Sequence, residues 1–126
     1  MERGYTMKEQ TMFISWGQVP RGREAKAIEV FKRAHEFLKG KKKEGKIEEL
    51  RIYFNSQSAD LAGFMLIGGK PEFLLDGSRE LERLYMQASA VVDNLSLKIL
   101  VGGTENGITE HLNDWLEVQK ELGFID

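Results

Sequence analysis

Met12-Phe13-Ile14-Ser15-Trp16-Gly17-Gln18-Val19 and Leu61-Ala62-Gly63-Phe64-Met65-Leu66-Ile67-Gly68 are apolar on both sides of an extended backbone. A strand of that kind belongs in the middle of a sheet, with both faces covered. Leu50-Arg51-Ile52-Tyr53-Phe54-Asn55 and Leu95-Ser96-Leu97-Lys98-Ile99-Leu100-Val101 instead alternate, which sets Arg51, Tyr53, Ser96 and Lys98 on one face. Alternation marks strands that meet solvent or a shared boundary. Two central strands and two edge strands are therefore expected.

Pro20 and the Arg21-Gly22-Arg23 turn stop the first strand. From Arg23 to Lys39, Ala27, Ile28, Phe31, Ala34 and Leu38 recur at helical spacing and predict a helix with one buried stripe. Gly40 and Gly45 bracket the run Lys41 to Lys43, where positive charge opposes the negative end of the helix dipole. The second strand spans Ile47 to Asn55, and the polar stretch Ser56 to Asp60 turns the chain into the third. Gly68-Gly69-Lys70-Pro71 then opens a short helical turn through Leu75. Ser78 reads as the N-cap of a second helix with Leu81, Leu84, Tyr85, Ala88, Val91 and Val92 on its buried side. A last amphipathic helix, from about Thr109 to Leu122, follows the fourth strand.

The order βαββαβ plus a helix predicts an α+β class fold, a ferredoxin-like βαββαβ sandwich with an extra C-terminal helix. Two right-handed crossovers joined by a hairpin place strands one and three at the centre and two and four at the edges. The organisation expected is a flexible leader over 1–11, a domain over 12–103, and a C-terminal helical segment over 104–126 packing on the domain or on a partner subunit. In such a sandwich both crossover helices cover one face of the sheet and the other face is bare. Exposed contiguous apolar patches mark interfaces or ligand grooves, so a homodimer through the open sheet face is expected, since symmetric dimers are the commonest oligomers. The C-terminal helix folding back as a lid is the alternative cover.

Composition narrows the function classes. The 126 residues, 41% hydrophobic and 30% charged, carry a net charge of −2, which argues against a general polyanion binder such as a nucleic-acid protein. The absence of cysteine excludes thiolate nucleophiles, disulfides and cysteine metal sites, and two histidines, His35 and His111, make no histidine metal centre. No metal or cofactor is expected. No apolar run approaches the ~18 residues of a membrane span, and Met1 to Thr11 lacks the apolar region of a signal peptide. A cytoplasmic protein with no membrane and no nucleic-acid partner is the expectation.

Trp16-Gly17, Arg21-Gly22-Arg23-Glu24, Gly45-Lys46-Ile47-Glu48, Asp60-Leu61-Ala62-Gly63-Phe64 and Ala90-Val91-Val92, set in the βαββαβ order, resemble the dimeric α+β barrel superfamily. Within it they resemble a group of small uncharacterised bacterial proteins. The resemblance spans about Met12 to Gly103. It implies two ferredoxin-like domains packed sheet to sheet with a cavity in each subunit, in a superfamily that includes cofactor-independent monooxygenases, lactone isomerases, haem enzymes and ligand-binding regulatory domains.

Trp16, His35, Arg51, Tyr53 and Met65 are the residues expected to line a small-molecule site. His35 lies at the margin of the first helix's stripe and is the one catalytic candidate, as an acid or base titrating near neutrality; the alternative is a boundary histidine packing its ring. Arg51 and Tyr53 share a strand face where a guanidinium beside a phenol orients an anionic or phenolic ligand; the alternative is a dimer rim, where Tyr, Trp and Arg are enriched. Gly68-Gly69-Lys70 lacks the spacing of a phosphate loop, and Pro71 removes a backbone N–H. Two functions remain: small-molecule binding in a cavity beside the sheet, with monooxygenase- or isomerase-like chemistry as its enzymatic form, or non-catalytic self-association.

Overall fold

In the computed structural model residues 10–55, 60–76 and 79–126 are described. They form β1 (Gln10–Trp16), α1 (Glu24–Lys43), β2 (Ile47–Phe54), β3 (Gly63–Gly69), α2 (Pro71–Asp76), α3 (Arg79–Ser89), β4 (Ser96–Val101) and α4 (Glu105–Glu121). The sheet order is β2-β3-β1-β4, antiparallel throughout. The two runs apolar on both faces are thus the central strands, and the topology is that of a ferredoxin-like sandwich with an added helix. The expected cap Ser78 and most of the leader and of the 56–60 turn lie outside the described residues.

The expected barrel is corrected. β2 and β4 stand at opposite edges of one open sheet and do not pair with each other. Closure requires the two edge strands to hydrogen-bond under a matched tilt and stagger, and among the described residues four strands of six to eight residues leave both edges without a strand partner. The chain is an open-sheet α+β sandwich and not an α+β barrel.

Element ends follow local chemistry. β1 leaves the ladder at Trp16 because Gly17 N–H donates to Asp93 O at 2.7 Å and Asp93 N–H donates to Gln18 O at 2.9 Å, so this segment pairs with the loop before β4. α1 continues four residues past Lys39 and ends where Gly45 adopts φ +80°. There Lys46 N–H reaches Lys41 O at 3.0 Å and Gly45 N–H reaches Lys42 O at 3.1 Å, a Schellman closure that favours glycine at the left-handed position. A bulge between Ile47 and Glu49 shifts the β2 register. The extra residue re-aims Ile47 to the helix side, where it is 1% exposed.

The core lies between the sheet and the helix layer. Met12, Met65 and Ile67 from the central strands meet Leu38 of α1 and Leu74 of α2, with Ile14, Leu50, Ile52 and Ile99 packed around them. Full burial of Ile47 and Ile67 stabilises the fold by about 1.5–3 kcal/mol each. The opposite face carries no helix from the βαββαβ unit. No helix among the described residues is long and apolar enough to cross a membrane.

Candidate functional site

Strand register sets three rows across the open face: Tyr53–Phe64–Ser15–Ser96, Arg51–Leu66–Phe13–Lys98, and Glu49–Gly68–Thr11–Leu100. Phe64 lies at the middle of an aromatic patch, stacked on Tyr53 at a ring distance of 5.0 Å and tilted against Phe13 at 5.4 Å. Leu66 extends the patch, and Tyr53 and Leu100, at 44% and 43% exposure, form its two flanks. Phe13, Phe64 and Leu66 make the middle apolar, Thr11 and Ser15 flank Phe13 on the same strand, and the charges, Glu49, Arg51 and Lys98, stand on the edge strands. That arrangement of apolar core and polar rim is the anatomy of a protein interface.

At the β2 rim, Arg51 Nε lies 3.5 Å from Glu49 Oε1. A hydrogen bond to the Tyr53 side chain, and then the Glu49 carboxylate, raise the Arg51 pKa above its ordinary value. The guanidinium is therefore a fixed positive charge beside the aromatic patch.

The five residues expected to line one site divide between two faces. Arg51 and Tyr53 are together on the open face. Trp16 and Met65 face the helices: Met65 is in the buried core, and Trp16 packs edge-on against Phe31 at 6.1 Å and Phe54 at 6.3 Å. His35 sits at the margin of that second cluster, its ring 6.1 Å from Phe31. The sheet thus separates His35 from Tyr53. The aromatic rings of Phe13 and Phe64 were not among the expected site residues, although their parity in the central strands marks them as partners of Tyr53.

An open groove of about 820 Å³ lies on the outer helical surface between α1 and α3. Phe37 and Leu84 line it with Lys32, Arg33, Arg79 and Arg83, while Glu36 and Glu80 offset half of that positive charge. It touches none of the five expected residues. The expectation of a barrel protein holding a small molecule beside its sheet is therefore overturned, because an open sheet has no barrel interior to hold it.

No protein-family model matches the chain, and no curated protein matches its sequence. Solved structures do share its shape. A conserved protein from Methanosarcina mazei Go1 matches with a TM-score of 0.55 at 18% identity, covering 74% of this chain and 92% of its own. A conserved protein of unknown function from Bacteroides thetaiotaomicron VPI-5482, described as a possible oxidoreductase, matches at 0.55 and 14% identity over 75% and 98%. A Pseudomonas aeruginosa protein matches at 0.52 and 15% identity over 77% and 96%. At such identities the likeness shows the fold alone, a ferredoxin-like α+β sandwich with an open sheet.

Proposed function

We propose that the open sheet face binds a second copy of this chain, so that the working unit is a homodimer with its two sheets facing each other. The observation that carries this reading is the aromatic and aliphatic patch of Phe13, Phe64, Tyr53 and Leu66 across three adjacent strands, half-buried except for the exposed Tyr53 and bearing no helix among the described residues. Patches of this kind on a monomer signal an interaction surface, and a two-fold axis lets one patch serve as both partners. Tyr53 and Arg51 then act as rim residues: the phenol covers the partner's apolar centre, and the guanidinium, held by Glu49, stays at the wet edge. Such a surface gives the protein a self-recognition role independent of any reaction.

Light scattering across a dilution series tests the reading. A mass of twice the 14.4 kDa chain, falling towards the single-chain value on dilution, is the expected result. A mass of one chain at every concentration would refute it.

A further inference from the structure

We infer that α4 is an arm that packs on the rim of the second copy's sheet face, completing the dimer interface. The inference rests on the sheet-face dimer proposed above and names what covers its margins. α4 and its C-cap Leu122 carry an apolar stripe at helical spacing, Ile108, Leu112, Trp115, Leu116 and Leu122, and these residues are 48–62% exposed. An amphipathic helix with its apolar stripe in water has not met its packing partner. Its own domain holds only the root. Gly107 is pressed so closely on Gly102 that a Cβ there would lie 2.9 Å from the Gly102 carbonyl oxygen, and Gly102 and Gly103 take φ +107° and +91°. This close, left-handed junction sets the direction in which α4 leaves β4. Its stripe does not seal the sheet of its own chain, because Trp115 and Tyr53 both remain exposed.

Area identifies the occupant as a second copy. Four strands spaced ~4.8 Å apart and rising ~3.3 Å per residue give the sheet face a footprint of roughly 400 Å². A stable interface takes about 800 Å² from each partner. A helix of 17 residues is ~25 Å long and ~10 Å wide, or roughly 250 Å² of footprint. Each copy of a two-fold dimer contributes one arm and one surface beneath the partner's arm, which brings the total to roughly 900 Å² and closes the shortfall. Charge agrees. α4 carries five acidic side chains and one lysine, so it is net −4 in a chain that is net −2, and the remaining body is net +2. A basic body attracts the acidic arm, and Arg51 and Lys98 are the cations on the edge strands of the face.

The full-length double variant Leu112→Asp/Leu116→Asp tests this, because both positions are exposed in the protomer and folding does not depend on them. Sedimentation of wild type and variant gives the dimer Kd. Trp115 fluorescence, obtained by difference against Trp115→Phe, reports whether the arm is covered. We expect the double variant to weaken the dimer at least tenfold, and Trp115 emission of the otherwise wild-type chain to move to shorter wavelength as dimer forms. A wild-type dimer that weakens in Tyr53→Ala but not in Leu112→Asp/Leu116→Asp, with Trp115 still water-exposed, would overturn the arm and leave the sheet-face dimer standing. Trp115 already shielded in dilute monomer would place the arm on its own domain and also overturn it. A wild-type chain monomeric at all concentrations would overturn both.

Discussion

Replacing Tyr53 by alanine should weaken self-association by an amount that can be worked from its exposure. Tyr53 is 44% exposed in the protomer. An aromatic side chain presents about 200 Å², which leaves roughly 90 Å² for a second copy to cover, and at ~25 cal/mol per Å² this is about 2 kcal/mol per copy. A two-fold interface counts the residue twice, so complete coverage would be worth about 4 kcal/mol. Coverage of half the area gives about 2 kcal/mol, or ~30-fold in Kd. Sedimentation velocity over a dilution series measures that ratio directly. The substitution also removes the stacking on Phe64, an effect of about 0.5–1.5 kcal/mol on the folded protomer, and chemical denaturation separates it from the interface effect. Ile28→Ala is the control, since Ile28 is 57% exposed but on α1, away from the open face. An unchanged Kd in Tyr53→Ala, or an equal loss in Ile28→Ala, would refute the reasoning.

Other substitutions test the fold that presents the face. Ile47→Ala, at a residue that is 1% exposed, should lower unfolding free energy by about 2–5 kcal/mol, read from the urea midpoint. Gly45→Ala forces a Cβ into φ +80° and should cost about 1–2 kcal/mol, measured the same way. Thr104 caps α4 by accepting from Gly107 N–H at 3.1 Å, so Thr104→Ala should reduce helicity by circular dichroism, at a cost of about 1 kcal/mol. Arg51 has a raised pKa, so any stability its charge contributes is present below the ordinary value and is lost only as pH climbs through the raised one. Its charge therefore imposes no pH dependence on the dimer near neutrality; a Kd that changes there in wild type but not in Arg51→Ala would contradict this.

The central pair of strands was legible because two-sided apolar patterning marks the inner strands of a sheet, and the order β2-β3-β1-β4 puts both such runs there. Tyr53 and Arg51 were equally readable, since alternation with Leu50 and Ile52 fixes their face. Ile47 was not, because the bulge at Glu48 reverses the parity that alternation assumes. The start of α4 was placed four residues late: Gly102-Gly103-Thr104 followed by Gly107 reads as loop, whereas Thr104 caps the helix and Gly107 is required by the contact with Gly102. Closure of a sheet depends on hydrogen bonds between its edges, which no periodicity records, and so the barrel expectation could arise from a strand order that is itself correct. His35 and Tyr53 were joined for a similar reason. A helix-margin position and an open-face position both border a cavity in outline, and only the sheet between them separates the two.

The most direct test of the sheet-face dimer is an isotope-filtered NOE experiment on a mixture of 13C-labelled and unlabelled chains, which detects contacts between copies and none within one. Cross-peaks joining the Phe13, Tyr53 and Phe64 rings of one copy to the Leu66 and Leu100 methyls of the other are the predicted result. Intermolecular cross-peaks confined to residues of the helix layer, such as Ile28, or none at concentrations well above the dimer Kd, would contradict it.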